Sequence, residues 1–114
     1  METFTAFIIP TTGPARMAAW PDGGAGQWIR AAIKCQIFTC VALTDRIDMW
    51  LDDEALLVDD PKPNPRATAV AARLAGAECA LLFGNAVLTG GADEEGETLP
   101  LGAEELRQVK AALE

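Results

Sequence analysis

The chain has 114 residues, half of them apolar and 23% charged, which is the size and composition of one globular domain. It has 17 acidic and 9 basic residues and a formal net charge of −8. This charge argues against a broad phosphate-binding surface, and therefore against direct binding of nucleic acid. The chain has no histidine, which excludes imidazole-based catalysis and histidine-ligated metal sites.

The first residues lack the basic segment and the long apolar core of a secretory signal, and no apolar run is long enough to span a membrane. We therefore expect a cytoplasmic protein. Cys35, Cys40 and Cys79 form no C-x-x-C pair and lie in apolar stretches. They predict three reduced core thiols and no metal site, and no cofactor is predicted.

The N-terminal part predicts a hairpin followed by a helix. Residues 3–9 are β-branched and aromatic on both faces, as in a strand that is buried on both sides. A turn over 10–14 leads to a return strand over 15–20. A glycine-rich loop then precedes a helix over 26–35, whose apolar residues recur at helical spacing.

The middle of the chain predicts a second hairpin. Residues 36–43 are typical of a strand, and residues 47–52 alternate between apolar and polar, as in a half-exposed strand. An acidic turn over 52–55, with Ala55 in a left-handed conformation, is predicted to lead back into a strand over 56–58. The alternation puts three residues on the outer face: Asp48, Trp50 and Asp52.

Asn64 and Pro65 predict the start of a helix, because Asn caps helices and Pro suits the first helical position. This helix is predicted to end near Ala75, with Gly76 after it. The remaining predicted elements are strands over 79–84 and 85–91, an acidic turn over 93–96 that continues into an extended segment over 97–99, and a helix over 102–113.

Together these elements predict one α+β domain over residues 1–114, with a mixed or antiparallel sheet of hairpins and two or three helices packed on it. The order strand, strand, helix, hairpin resembles the start of a β-grasp fold. The sequence contains no long repeat and no low-complexity segment.

Four segments occur in a distinctive order: D-M-W-L-D-D-E at 48–54, N-P-R-A-T-A at 64–69, a glycine-flanked strand over 84–91, and D-E-E-G at 93–96. In this order they resemble the bacterial and phage family catalogued as domain of unknown function 3846, in its actinobacterial form. The chain departs from the family pattern at Ala55, where Gly is usual, and in its proline-rich linker over 59–63. The resemblance implies a small accessory protein of phages, plasmids and their hosts, and it implies no catalytic residues.

Two acidic tips are the first candidate binding sites. One consists of Asp52, Asp53 and Glu54, and the other of Asp93, Glu94 and Glu95. Converging carboxylates can hold Mg²⁺, but Asp48 and Asp52 would lie about 13 Å apart along a strand, and an exposed tip has no pocket. The tips are therefore open to three interpretations: solvated turns that keep sheet edges soluble, a protein-binding surface, or a metal site.

Two further candidates have structural alternatives. The helix start with Asn64, Arg66 and Thr68 could bind an anion, because the free amides at a helix N-terminus attract negative charge, although capping alone explains Asn64. Trp50 lies between two aspartates on its strand face and could anchor a partner. A tryptophan at such a position more often packs in the core, and this is the favoured interpretation of Trp50 and Trp20.

These features favour a non-enzymatic interaction protein whose acidic surface binds a protein partner of basic character, with a homodimer also compatible. A sharper form is a DNA mimic that inhibits a defence or DNA-binding enzyme. One alternative is a Mg²⁺-dependent hydrolase of nucleic acids or nucleotides that uses the acids of 45–54. Another is a module that binds small molecules or nucleotides at the helix start over 64–68.

The acidic residues are concentrated in two segments. Thirteen of the 17 lie in 45–60 and 93–105, whereas residues 1–44 carry a net charge of +1. If the two acidic turns lie on the same side of the fold, they form one negative surface that favours a basic partner. If they lie on opposite sides, solubility alone accounts for them.

Overall fold

The computed structural model describes residues 3–21 and 24–114, which form a five-stranded sheet and three helices. The predicted α+β class is confirmed, and every described strand pair is antiparallel. None of the described helices is both long enough and apolar enough to cross a membrane. In chain order the elements are β1 (Thr3–Ile9), β2 (Arg16–Pro21), α1 (Ala25–Ile33), β3 (Phe38–Thr44), β4 (Ile47–Asp52), α2 (Pro65–Ala75), β5 (Ala86–Gly90) and α3 (Ala103–Leu113).

The strand order in the sheet is β2-β1-β5-β4-β3. Two hairpins, β1–β2 and β3–β4, therefore lie side by side, and the last strand is inserted between them. Leu88 of β5 pairs with Phe7 on one side and with Met49 on the other. All five residues of β5 are buried, because neighbouring strands and packed side chains cover both its edges and both its faces.

Helices pack on both faces of the sheet. On the α2–α3 face, Val70 and Val109 belong to the same core as Phe7, Met49 and Leu88. On the other face, Ile29 and Ile33 of α1 pack in a second core, together with Ile8, Trp20 and Val87. The alternation predicted for 47–52 is confirmed, because Ile47, Met49 and Leu51 are buried and the residues between them are half-buried.

The predictions of a strand over 56–58 and of another over 79–84 are wrong. After β4 the chain leaves the sheet through turns and does not reverse into a strand, so that Leu56, Leu57 and Val58 are exposed. Ala55 does not adopt the predicted left-handed conformation. In the second segment only Phe83 forms a bridge, to Pro63. Both segments are apolar enough for strands, but β3 and β5 already occupy the two edges of β4.

The predicted burial of the three cysteines needs correction, whereas the core interpretation of Trp20 is confirmed. Cys35, Cys40 and Cys79 are free thiols, but none is fully buried, and Cys40 is exposed. Trp20 is only 1% exposed and is a core residue, with its ring packed against those of Phe4 and Trp28.

Candidate functional site

The two acidic turns lie at opposite ends of the sheet. Because β4 and β5 run antiparallel, Leu51 near the end of β4 pairs with Ala86 at the start of β5. Conversely, Ile47 at the start of β4 pairs with Gly90 at the end of β5. The turn after β4 and the turn after β5 are thus separated by the length of the strands, and they cannot form one negative surface.

The first acidic turn, after β4, has a mixed charge environment. The carboxylate of Asp52 accepts a hydrogen bond from the backbone N–H of Glu54 at 2.9 Å, which stabilises the turn. A surface groove of about 590 Å³ is lined by Asp52 and Glu54, together with Arg30 and Lys34 of α1. At this end of the sheet, acidic and basic side chains therefore face the same groove.

The second acidic turn is a tight loop organised by Asp93. Its carboxylate accepts hydrogen bonds from the backbone N–H groups of Glu95, at 2.8 Å, and Glu97, at 2.9 Å. Gly96 closes the loop with φ of 83°, the left-handed conformation that glycine adopts at little cost. Glu94 and Glu95 are exposed and make no described ion pair.

Further acidic residues surround this second turn. Asp45, Arg46, Gly91 and Glu105 line one surface pocket, so the β3–β4 turn, the end of β5 and the start of α3 lie side by side. We call this end of the sheet the acidic pole. It contains two arginines, Arg46 and Arg107, and seven carboxylates: Asp45, Asp93, Glu94, Glu95, Glu97, Glu104 and Glu105. Only Arg107 makes a described ion pair there, with Glu104 at 2.9 Å.

The predicted helix start is occupied by internal hydrogen bonds. The Asn64 side chain accepts from the backbone N–H of Ala67 at 3.0 Å, and its amide donates to the carbonyls of Ile9 and Gly84, each at 2.9 Å. Arg66 donates to the carbonyl of Pro10.

The Thr68 hydroxyl completes this arrangement. It donates to the carbonyl of Asn64 and accepts from the backbone N–H of Leu82, both at 2.9 Å. The predicted trio of Asn64, Arg66 and Thr68 thus joins α2 to β1 and to the segment before β5. The surface pockets that the acidic residues line in the described part of the chain contain none of these three side chains.

Asp48 and Trp50 lie on the α1 face of the sheet, and Trp50 packs against the core that contains Ile29 and Ile33 of α1. The indole N–H of Trp50 donates to the hydroxyl of the fully buried Thr89 at 2.8 Å, and its ring packs edge-on against Phe38. Trp50 therefore stabilises the sheet through these contacts, although its side chain is only half-buried. No sequence pattern indicates the role of Thr89, because that role depends on the pairing of β4 with β5.

Beside Trp50, the thiol of Cys40 lies near the carboxylate of Asp48, and the two groups influence each other's pKa. Cys40 is exposed as a residue, but partial burial of its thiol, together with the nearby Asp48 carboxylate, raises the pKa of Cys40 to about 11. Burial also raises the pKa of Asp48, against the opposing effect of the neighbouring Cys40 thiol. The Cys40 thiol is therefore protonated at neutral pH, and its reactive thiolate forms only as the pH rises.

We expect Asp48→Asn to stabilise the protein at neutral pH and to leave its stability unchanged in acid. A carboxyl group with a higher pKa in the folded chain than in the unfolded chain binds more protons when folded. The free energy of unfolding therefore falls as pH rises from the usual carboxyl range through the raised pKa, and Asn removes this loss. Urea unfolding of both proteins in acid and at neutral pH measures the difference.

The matched control is Asp53→Asn, which removes a carboxylate from an exposed turn residue and lowers the net negative charge equally. Equal stabilisation by the two variants at neutral pH would show that net charge, and not the burial of Asp48, causes the effect.

Comparison with known proteins identifies a family and nothing narrower. The family model described as Domain of unknown function (DUF3846) matches residues 4–114. No curated protein and no solved structure matches the chain.

Proposed function

The chain belongs to the DUF3846 family, whose description names no activity, and from this premise we propose that it is a non-enzymatic interaction protein that presents its acidic pole to a basic protein partner. The observation that supports the proposal is the concentration of seven carboxylates against two arginines at one end of the sheet. The two acidic turns share no surface, so the expected surface made of both turns is absent and the proposal depends on the acidic pole alone. There the β3–β4 turn and the start of α3 add carboxylates to those of one acidic turn.

The charge distribution also suggests how the partner is selected. Exposed carboxylates of one sign attract a basic surface over several ångströms, which speeds association and excludes acidic partners. The three free thiols fit a reducing, cytoplasmic setting for this encounter.

The geometry gives less support to the two alternatives. Among residues 3–21 and 24–114, no group of three or more Cys, Asp or Glu side chains is placed to hold a metal ion, which a Mg²⁺-dependent hydrolase would need. The helix start over 64–68 would have to give up internal hydrogen bonds before its side chains could bind a nucleotide.

DNA mimicry is the sharper form of the proposal. The carboxylates of the acidic pole come from a tight turn, a hairpin turn and the first turn of α3, so they form a compact patch. A duplex instead presents phosphates in two long rows. Mimicry therefore requires a partner whose DNA-binding site is comparably compact.

The proposal is tested with two triple variants of equal charge change. Glu94, Glu95 and Glu97 are exposed residues of the acidic pole, and their replacement by Gln leaves the turn-forming Asp93 in place. The control replaces Asp53, Asp59 and Asp60, exposed near the opposite end, by Asn. Immobilised wild-type chain is used to retain basic proteins from a bacterial lysate at low salt, and the retained protein is then purified.

We expect the pole variant to bind this purified protein about tenfold more weakly than wild type, and the control variant to bind it almost normally. A duplex-DNA competition assay on the same protein tests mimicry. If no protein is retained at low salt, or if both variants bind like wild type, the acidic pole is not a binding surface.

A further inference from the structure

Strand β3 forms an outer edge of the sheet that lacks the usual protection against pairing. Edge strands of monomeric proteins commonly carry charged residues or proline. Residues 36–44 contain neither, whereas the other edge strand, β2, begins with Arg16 and ends with a proline. Three consecutive residues, Cys40, Val41 and Ala42, are exposed although their side chains alternate between the two faces, so neither face is covered there.

The hydrogen bonding of β3 to β4 shows which backbone groups are free to pair. The N–H of Asp53 donates to the carbonyl of Ile37 at 2.9 Å, so the backbone of Ile37 faces β4. In an antiparallel pair this orientation alternates along the strand. The N–H and C=O groups of three β3 residues therefore point away from the sheet: Phe38, Cys40 and Ala42. The register shift of β3 comes only after Ala42.

An apolar strip runs along the same edge, on the α2–α3 side. Ile37 and Val41 of the β3 segment are 53% and 43% exposed. Leu56 and Leu81, 64% and 50% exposed, line a surface pocket together with Thr39 of β3. Large apolar side chains grouped in this way beside unpaired backbone groups are typical of a surface that another strand covers.

We propose that the chain forms a homodimer in which β3 pairs antiparallel with β3 of a second copy, around a two-fold axis at Cys40. In this register Phe38 pairs with Ala42 of the second copy, and Cys40 pairs with Cys40. The pairing uses every outward backbone group of the three residues and joins the two sheets into one continuous sheet.

A second copy fits this edge better than a basic protein does. Two chains that each carry a net charge of −8 repel one another, so they associate most easily through a segment without charge. A basic partner would gain nothing from a neutral strand, and the acidic pole lies elsewhere. The dimer is thus independent of the proposed function, and each can fail without the other.

The test compares two substitutions at one position by sedimentation equilibrium. Cys40→Pro removes an outward N–H that makes no bond within the sheet, and Cys40→Ala keeps it. We expect wild type and Cys40→Ala to have twice the mass of the chain, and Cys40→Pro to have the mass of one chain. Thermal unfolding by circular dichroism checks that the proline variant is folded.

A second measurement tests the register and does not require the proline variant to fold. Two copies of a chain with Cys40 as its only cysteine, made by Cys35→Ser and Cys79→Ser, should be joined by a short bis-maleimide at mildly alkaline pH, which raises the thiolate fraction of Cys40. Chains that keep only Cys35 or only Cys79 should stay uncoupled. Wild-type chain that sediments as a monomer would overturn the proposal, as would a folded Cys40→Pro variant that stays dimeric. Failure of the Cys40 chain to couple, under conditions in which a monofunctional maleimide labels it, would also overturn the proposal.

Discussion

Replacing Asn64 with alanine is expected to lower the free energy of unfolding by about 3 kcal/mol, since each buried polar group left without a partner costs about 1–3 kcal/mol. The Asn64 side chain is 1% exposed and serves one backbone N–H and two carbonyls. Alanine satisfies none of them, and no water can easily replace the amide in a site closed by α2 and β1. Urea unfolding followed by circular dichroism measures the loss.

The matched control is Asn85→Ala. Asn85 also makes two hydrogen bonds to the backbone, from Thr11 at 2.9 Å and to Ile33 at 3.4 Å, but it is only partly buried. We therefore expect a loss of about 1 kcal/mol, because water can reach the freed groups. If the two variants lose the same stability, Asn64 is an ordinary helix cap and does not join α2 to the sheet.

Gly90→Ala is expected to destabilise the protein by about 3 kcal/mol, at the upper end of the range for overpacked sites. A Cβ on Gly90 would lie 2.4 Å from the carbonyl oxygen of Pro100 and 3.0 Å from that of Leu99. Both contacts are with backbone, and the N–H of Gly90 already donates to Leu99 at 2.9 Å. The methyl group would therefore displace the segment that leads into α3, and thermal unfolding should show a lower midpoint.

Gly96→Ala provides the comparison, because a methyl group on Gly96 would meet no atom within 4 Å, although the residue has φ of 83°. Its expected loss is about 1 kcal/mol, from backbone conformation alone. A smaller loss for Gly90→Ala than for Gly96→Ala would mean that the close approach of β5 to Pro100 is not a rigid feature of the fold.

Features that depend only on residues close together in the sequence could be predicted from it. The alternation over 47–52 and the Asn64–Pro65 helix start express local chemistry, and both are confirmed. The strands over 56–58 and 79–84 could not be judged in this way. Their composition is typical of strands, but a strand that follows β4 and pairs with it needs a free edge of β4, and β3 and β5 occupy both of its edges.

The same limit applies to the candidate sites. Whether the two acidic turns share a surface depends on β4 and β5 being neighbours and antiparallel, which no local pattern reveals. The capping role of Asn64 was predictable, whereas its bond to Ile9, 55 residues away, was not. The closeness of Cys40 and Asp48 was predictable, because the short turn over 44–46 makes β3 and β4 a hairpin. In this hairpin Asp48 lies opposite Ala42, two residues along β3 from Cys40 and on the same face. The apolar appearance of 36–43 pointed instead to burial.

The position of β5 has a consequence for how the chain folds as it is synthesised. The β1–β2 and β3–β4 hairpins are complete long before residues 86–90 leave the ribosome, but they share no ladder with each other. Until β5 arrives, β1 and β4 each keep an unpaired apolar edge. The nascent chain is therefore expected to hold two unjoined halves, and their closure by a strand distant in sequence should set the folding rate.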